Sequence, residues 1–260
     1  MKYFHSIVRS VLACAAVSAA LVSGNAWADL TAGQADALQA KVVAGDKAAL
    51  ATLETEARQG NKYAQFSLGV LYYNGQGVPQ DYNQAAQWYR KAAEQGRADA
   101  RNNLGVLYDQ GQGVPQDYNQ AAQWYRKAAE QGNAAAQYNL GVGYYNGQGV
   151  PQDYSQAAQW YRKAAEKGDA DAQNNLGVLY ANGQGVPSNK VVAYALYNLS
   201  AAKESSSGDH TASQNRSRLA NGMTAQAIEA GQALSRQMNV PGNFLKALDG
   251  YLDAVDSKRR

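Results

Sequence analysis

The sequence predicts an all-α protein built as a solenoid, in which short helix-turn-helix units stack one after another. Residues 75–96 and residues 111–132 are identical at all 22 positions, and residues 147–168 repeat the same string with two changes, Ser155 and Lys167. Aligned leucine, glycine and tyrosine residues extend this period of 36 residues over four copies. A fixed period of about 20 to 50 residues is typical of solenoids, because each unit can bury its apolar face only against its neighbours.

The first half of each unit is predicted to be a helix with one apolar face. The positions that recur at helical spacing are, in the first unit, Ala64, Leu68, Leu71 and Tyr72. Gly69 lies in the middle of this helix, where glycine costs about 1 kcal/mol relative to alanine. Because glycine returns at the same place in every copy, we expect a neighbouring helix to pack closely against it. The helix should end at the glycine-rich turn that follows residue 74.

The second half of each unit is predicted to be a helix that begins after Asp81. Asp81 and Gln84 have the spacing of an N-terminal capping box, and Gly96 follows as the expected C-terminal stop. The predicted buried face consists of Ala85, Trp88, Tyr89, Ala92 and Ala93. The alanines should let two helices approach closely, and we expect a fully buried tryptophan to fill the gap between units. In the fourth copy Leu196 replaces this tryptophan, although Tyr197 keeps the tyrosine.

The two ends of the chain are predicted to differ from the repeats. Residues 1–28 have a basic start, a short apolar stretch and Ala26-Trp27-Ala28 before Asp29, the pattern of a cleaved secretory signal peptide. The apolar stretch is shorter than the about 20 residues of a membrane span, so we expect a periplasmic or secreted protein without membrane insertion after cleavage. Further helices are predicted at residues 30–43, 49–60, 211–220, 224–237 and 243–255. The predicted divisions are an N-terminal cap with a degenerate repeat at 29–63, repeats at 64–99, 100–135, 136–171 and 172–207, and a helical cap at 208–260.

The composition excludes several kinds of site. The only cysteine, Cys14, lies in the predicted signal peptide, so the mature chain would have no disulfide, thiol nucleophile or cysteine-bound metal. His210 would be its only histidine, which argues against a histidine-rich metal site. The formal charge of +3 falls to +1 with the loss of Lys2 and Arg9, and no basic stripe indicates nucleic acid. We therefore expect no cofactor, no metal site and no nucleic-acid partner.

The repeated pattern resembles the Sel-like repeat (SLR), a branch of the tetratricopeptide superfamily. The residues that carry the resemblance are A-x-x-x-L-G-x-x-Y, then G-x-G-V-P, then A-x-x-W-Y-x-x-A-A-x-x-G, and they cover about residues 64–203. The resemblance implies a right-handed α/α superhelix, or solenoid, whose first helices line a concave groove. It also implies a non-catalytic interaction scaffold that binds a peptide or protein segment in that groove.

The copies differ mainly in their first helices, so function should lie there. With Leu68 and Gly69 as anchors, the resemblance places particular positions of each unit in the groove. The candidate partner-binding residues are Tyr63, Phe66, Tyr73, Asn74, Asn102, Asp109, Tyr138, Tyr145, Asn146 and Asn174. Aromatic sets in the first and third units alternate with acidic and amide sets in the second and fourth. This alternation suggests two aromatic pockets separated by a polar one, although Phe66 and Tyr138 could simply pack between units.

Two groups of repeated polar residues have two interpretations each. Asn103, Asn139 and Asn175 could hydrogen-bond a peptide backbone, or they could bond across to the next helix. The basic pair Arg90-Lys91 and its copies could form a ladder for an anionic partner. Glu94, four residues after Arg90, instead favours a solvated face with ion pairs along the helix.

Parts of the sequence are compatible with two other functions. Exposed tyrosine, asparagine and glutamine also suit a glycan or peptidoglycan ligand. The segment Ser200-Ala201-Ala202-Lys203 matches the S-x-x-K motif of serine β-lactamases, and some secreted SLR proteins are linked to β-lactams. However, the companion S-D-N and K-T-G motifs do not occur in the sequence. Lys203 also aligns with Lys167 at the end of the preceding second helix, which gives it a structural explanation.

Overall fold

The computed structural model describes residues 30–204 and 210–257, and these residues form thirteen α-helices and no strand. The helices are α1 Ala32–Val43, α2 Lys47–Arg58, α3 Lys62–Asn74, α4 Tyr82–Glu94, α5 Ala98–Gln110, α6 Tyr118–Glu130, α7 Ala134–Asn146, α8 Tyr154–Glu166, α9 Ala170–Asn182, α10 Lys190–Ala201, α11 Thr211–Ala220, α12 Ala225–Met238 and α13 Phe244–Ser257. Helices α3 to α10 are the paired helices of the four repeats. The prediction of an all-α solenoid is confirmed, whereas the predicted signal peptide lies outside the described residues.

Each second helix begins at an aspartate or asparagine whose side chain caps it, as predicted at Asp81, whereas no bond from the Gln84 side chain completes the predicted capping box. The Asp81 carboxylate accepts hydrogen bonds from the backbone N–H groups of Asn83 and Gln84, at 2.9 and 3.1 Å. Asp117, Asp153 and Asn189 cap α6, α8 and α10 in the same way. These bonds satisfy backbone donors that a helix N-terminus otherwise leaves free. The shared capping position therefore starts each second helix at the same point of its unit.

The units stack because every second helix packs on two first helices. Helix α4 contacts α3 of its own unit and α5 of the next unit, and this pattern continues to α10. Leu68, Leu104, Leu140 and Leu176 are buried between the helices, as are the alanines of the second helices. The second glycine of each G-x-G turn touches the neighbouring unit. At Gly113 a Cβ atom would lie 2.6 Å from the backbone nitrogen of Asn83, so only glycine fits this contact.

The prediction of a fully buried tryptophan is wrong, because tyrosine takes that place. Tyr89 is 1 % exposed, whereas Trp88 is only half-buried against the apolar cluster of α1 to α3. Adjacent side chains on a helix point about 100° apart, so only one of the two can face the centre of the unit. Tyr89 does so because Gly69 leaves room for its ring. The expected close approach at the mid-helix glycine is thus confirmed as a contact between a ring and the backbone.

Helices at both ends extend the stack. Helix α1 begins with a capping box formed by Thr31 and Gln34, and Thr224 caps α12 through its side chain as the sequence predicts. Helix α12 packs on α10, and α13 packs on α12. The apolar residues that join the core of the last repeats are Leu234, Met238, Phe244, Ala247 and Leu248. These end helices cover apolar surface that the last repeat would otherwise expose.

None of the helices from α1 to α13 is both long and apolar enough to cross a bilayer.

Candidate binding face

The first helices of successive units are lateral neighbours. Asn139 Nδ2 in α7 donates to Asn102 Oδ1 in α5 at 3.1 Å, and Asn133 Nδ2 donates to Asp99 Oδ1 at 3.0 Å. At the other end, Asn215 Nδ2 in α11 donates to an oxygen of Asn174 in α9 at 3.0 Å. These bonds join α5 to α7 and α9 to α11, and Tyr138 of α7 and Asn174 of α9 line one hollow. We call the surface that carries the ten candidate residues on α3, α5, α7 and α9 the first-helix face.

The aromatic candidate residues on this face are packed against rings of their own unit. Phe66 and Tyr138 lie 5.8 and 5.9 Å, between ring centroids, from Tyr89 and Tyr161. Tyr73 and Tyr145 meet Tyr82 and Tyr154 edge-on, at 5.4 and 5.3 Å. All four candidate rings remain partly exposed. They therefore form two aromatic ridges on the first and third units, where the sequence suggested two pockets. Phe66 and Tyr138 pack both on the tyrosine of their own unit and on residues of the next unit.

The aromatic ridge of the first unit is partly covered by a cation from the second. Arg97, just before α5, places its guanidinium carbon 4.1 Å from the ring centroid of Phe66 and 5.2 Å from that of Tyr63. Arg97 also pairs with Asp99 at 3.3 Å. Such contacts between a cation and a ring face hold the guanidinium in place. Tyr63 and Phe66 thus contribute to the junction of units one and two as well as to the face.

The asparagines of the second and fourth units are used within the stack. Asn102 is 8 % exposed, and its side chain bonds to Asn103 and Asn139. Asn174 bonds to Asn175 and Asn215 in the same manner. For Asn103, Asn139 and Asn175, the sequence left open whether they bind a peptide or bond to another helix. The second interpretation is supported for Asn139, which bonds to Asn102 of the preceding first helix. Bonds of this kind leave fewer amide groups free for a ligand.

Asn74 and Asn146 lie at the exposed ends of their helices. Their side-chain nitrogens donate to the amide oxygens of Gln76 and Gln148, at 3.5 and 3.1 Å. The structure places both at the rim of the first-helix face rather than in its centre. Their exposure leaves them available to a partner that crosses the rim.

Two hollows interrupt the face, and both involve the polar units. The smaller, of about 60 Å³, lies between α5, α6 and α7 and includes Asp109 among its walls. Burial raises the pKa of the Asp109 carboxyl above its usual value. The larger, of about 380 Å³, lies at the C-terminal end of the face. Side chains that line it include Tyr138, Asp171, Asn174, Asn175, Lys203 and Glu204.

The S-x-x-K segment is accounted for by the repeat. Lys203 Nζ donates to the carbonyl oxygen of Gly168 at 2.6 Å, one unit earlier in the chain. Lys167 makes the equivalent bond to Gly132, and Gln95 makes it to Gly60 at 2.7 Å. Ser200 is 4 % exposed. The lysine therefore closes the end of one second helix onto the preceding one, as its alignment with Lys167 predicts.

The repeated arginines also connect adjacent units. Arg90 Nη2 donates to the hydroxyl of Tyr108 at 2.6 Å, and Arg126 Nη2 donates to that of Tyr144 at 2.9 Å. Lys91 Nζ lies 4.3 Å from the ring centroid of Trp88 on the same helix. In place of the expected ion pairs along the helix, Arg90 and Arg126 contact tyrosines of the next unit, and Arg162 pairs with Asp249 of α13. Arg90 and Arg126 serve the stack.

The described ranges, with residues 205–209 left out, contain no group of three or more histidine, cysteine, aspartate or glutamate side chains that could hold a metal ion.

A stack of paired helices with a varied first-helix face defines the class of helical-repeat solenoids. The chain belongs to the Sel1 repeat family, because the model of the Sel1 repeat matches residues 62–96, 98–133, 134–169 and 170–205. These matches confirm the resemblance to SLR proteins. Each match begins two residues before the corresponding repeat that the sequence predicts. Repeats of this family generally mediate protein interactions and are mostly non-catalytic.

Solved structures of the same family are similar over most of the chain. One is a protective antigen present in uropathogenic Escherichia coli strains displaying an SLR fold, at 32% identity and a TM-score of 0.63 over 88% of this chain. Since the match covers 54% of that antigen, this chain spans about half of its length. Another is a Sel1 repeat protein from Oxalobacter formigenes, at 33% identity and a TM-score of 0.65, with 81% of this chain and 90% of that one covered. The comparison with curated proteins finds no match.

Proposed function

We propose that the protein is a non-catalytic interaction scaffold of the cell envelope, which binds an extended segment of a partner protein along the first-helix face. One observation carries this proposal. The second helices α4 and α6 are identical in sequence, whereas the first helices α5 and α7, which the Asn139–Asn102 bond joins, present different side chains next to one another. Identical second helices hold the varied positions at a fixed spacing, which suits recognition of successive residues of a segment.

The spacing of the aromatic ridges sets the length of the segment. The ridge of Tyr73 with Tyr82 and the ridge of Tyr145 with Tyr154 are two units apart. Neighbouring helices pack about 8–10 Å apart, so the two ridges are separated by roughly 20 Å. An extended chain rises about 3.3 Å per residue. Two apolar anchors of the bound segment should therefore lie about six residues apart.

Four single variants test the position of the site. Burial of an anchor at a hot spot is worth about 2 kcal/mol or more, so Tyr73→Ala and Tyr145→Ala should each weaken binding by roughly thirtyfold. Arg90→Ala and Arg126→Ala lie on the second helices and should weaken it much less. Peptides selected from a displayed random library on the mature protein would serve as ligands, with affinities measured by calorimetry. Thermal unfolding of each variant would show that the loss is not a loss of fold.

The same measurements distinguish the alternatives. If the arginine variants lose binding and the tyrosine variants do not, the site is on the second-helix side and the first-helix face is not the binding surface. If peptidoglycan fragments bind and selected peptides do not, the glycan alternative replaces the peptide proposal. A partly exposed tyrosine ring beside an exposed amide, as at Tyr73 and Asn74, would suit either ligand.

Export is the second part of the proposal. The pattern ending at Ala26-Trp27-Ala28 supports cleavage before Asp29 and a periplasmic or secreted protein. The intact mass of the protein purified from its native host should correspond to a chain that starts at Asp29. A mass that retains residues 1–28, or a lipid on Cys14, would contradict export by this route.

Absence of catalysis is the third part. Lys203 is bonded to the Gly168 carbonyl and Ser200 is buried, an arrangement that does not favour a serine nucleophile. The purified protein should not hydrolyse a chromogenic β-lactam. Turnover by the wild-type protein that disappears in Ser200→Ala would overturn this part of the proposal.

A further inference from the structure

Two departures from the repeat meet in the smaller hollow of the first-helix face. Position 143 holds glycine, although the three other units have leucine there, at 71, 107 and 179. Position 109 holds aspartate, whereas the units on either side have Tyr73 and Tyr145. The two positions are 34 residues apart in the chain, yet Asp109 and Gly143 line the same cavity of about 60 Å³.

The cavity exists because both substitutions remove volume. The leucines equivalent to Gly143 are completely buried, at 0% exposure, so the third unit lacks a whole core side chain. In the first and third units a tyrosine ring lies against the tyrosine that starts the second helix, at 5.4 and 5.3 Å. In the second unit Asp109 leaves Tyr118 without that partner, and Tyr118 lines the cavity. The space exceeds the about 10–15 Å³ that a single water molecule needs.

The cavity has an acidic character that the protein itself does not neutralise. No lysine or arginine in the described ranges forms an ion pair with Asp109. Burial raises the pKa of Asp109, and burial with the nearby Asp109 charge raises that of the Tyr125 hydroxyl. A partly buried carboxylate is costly unless a cation pairs with it. The other polar side chains around it, Tyr118, Tyr125, Asn139 and Gln148, are uncharged at neutral pH.

We propose that this cavity binds a primary ammonium group, supplied by a lysine side chain of the segment that lies along the first-helix face. The identity of the segment rests on the proposed function; the ammonium site itself rests on the cavity. Lysine fits better than arginine because its ammonium is a compact point charge on a thin stem, whereas the guanidinium is a wider planar group. The Tyr118 and Tyr125 side chains, which also line the cavity, carry hydroxyl oxygens that can accept hydrogen bonds from an ammonium group. Because Asp109 belongs to the unit between the aromatic ridges, the lysine should lie midway between the two apolar anchors.

The first experiment uses methylammonium chloride as the probe and needs no partner. The side-chain carboxyl carbon of Asp109 is followed by NMR while the salt is added at constant ionic strength. We expect a saturable shift in the wild-type protein and none in Gly143→Leu, which restores the leucine of the other units. Tetramethylammonium, which has the same charge but no N–H donor, should produce no saturable shift. Absence of saturation with methylammonium in the wild type would overturn the proposal.

The second experiment uses peptides selected from the displayed library on the wild-type protein. We expect lysine between two apolar positions, and its replacement by norleucine should weaken binding by at least about tenfold. In Asp109→Asn, which keeps the shape and removes the charge, lysine and norleucine peptides should bind about equally. Equal binding of the two peptides to the wild type would refute the lysine site. If Tyr73→Ala and Tyr145→Ala still weakened binding, the same result would leave the first-helix face supported. A saturable methylammonium shift without any selected peptide would support the site and contradict the peptide function.

Discussion

The mid-helix glycines allow the sharpest test of how the units are packed. In the third unit Gly141 lies in α7 against the ring of Tyr161 from α8. An ideal Cβ atom at Gly141 would lie 2.7 Å from both Cδ1 and Cε1 of that ring. Carbon atoms normally stay about 3.5–4.0 Å apart, so Gly141→Ala needs a displacement of about 1 Å. Tyr161 is 1% exposed, and its ring also contacts Tyr138, so a shift of the ring would disturb its other neighbours.

The magnitude follows from two opposing effects. Overpacking of a well-filled core costs about 1–3 kcal/mol, and a buried ring that cannot move belongs at the upper end. Alanine is better than glycine within a helix by about 1 kcal/mol, which offsets part of this cost. We expect Gly141→Ala to lower the free energy of unfolding by about 2 kcal/mol.

Urea unfolding followed by circular dichroism measures this change. The matched control is Gly250→Ala in α13, where a Cβ atom would meet nothing within 4 Å, and it should be neutral or stabilising by up to about 1 kcal/mol. In a Tyr161→Leu background, Gly141→Ala should lose most of its cost, because the ring is gone. If Gly141→Ala were as stable as Gly250→Ala, the close packing of ring on backbone would be refuted.

Three further predictions concern the stack as a whole. Burial raises the pKa of four tyrosine hydroxyls, those of Tyr89, Tyr125, Tyr161 and Tyr197, in the last case to about 12, so the native state keeps these protons to higher pH than the unfolded chain does. The free energy of unfolding should therefore be constant below about pH 10 and then fall by up to about 1.4 kcal/mol per pH unit for each tyrosine. Urea unfolding at increasing pH would measure this fall, and a flat profile would contradict it. Arg126→Met removes the hydrogen bond to the Tyr144 hydroxyl and should lower the free energy of unfolding by about 0.5–1.5 kcal/mol. The control Glu130→Gln, on the exposed side of the same helix, should change it by less than about 0.5 kcal/mol. Equal effects of the two variants would show that the arginine bond contributes little. Gly113→Ala should lower the free energy of unfolding by at least about 1 kcal/mol more than Gly60→Ala does. Both glycines have positive φ, but only at Gly113 would a Cβ atom also meet the backbone of the preceding unit. Equal shifts in the melting temperature of the two variants would argue against that contact.

Local rules in the sequence were enough for the helices and for the way they stack. The capping aspartates and the glycine turns act within a few residues of themselves, and the period of 36 residues fixes which helices become neighbours. The choice between Trp88 and Tyr89 for the buried position was not accessible in this way. Both are large aromatic side chains on adjacent positions, and only the geometry around Gly69 decides between them.

The candidate site was less predictable, because it depends on contacts between units. The sequence identified the varying positions of the first-helix face, but it did not indicate that Phe66 and Tyr138 are packed against tyrosines of their own unit. The cavity was missed for the same reason. The sequence predicted Asp109 as a groove residue but did not connect it with Gly143. The one feature that could have indicated the cavity is the glycine at position 143, where every other copy has leucine.

The loss of leucine at Gly143 is expensive, and this bears on whether the cavity has a use. Truncation of a buried leucine to alanine costs about 2–5 kcal/mol, and glycine within a helix adds about 1 kcal/mol. The repeat already contains the residue that would remove this cost, and Leu71, Leu107 and Leu179 show that the surrounding turn accepts it. A Cβ atom at Gly143 would lie 3.1 Å from the Gln148 carbonyl oxygen, so the turn must shift by a few tenths of an ångström and part of the gain is lost. We therefore expect Gly143→Leu to raise the free energy of unfolding by about 2 kcal/mol while it abolishes the methylammonium response of Asp109, a trade of stability for function. Urea unfolding of the variant beside Gly250→Ala would check the gain, and a Gly143→Leu protein no more stable than the wild type would mean that the cavity is not a defect in the core.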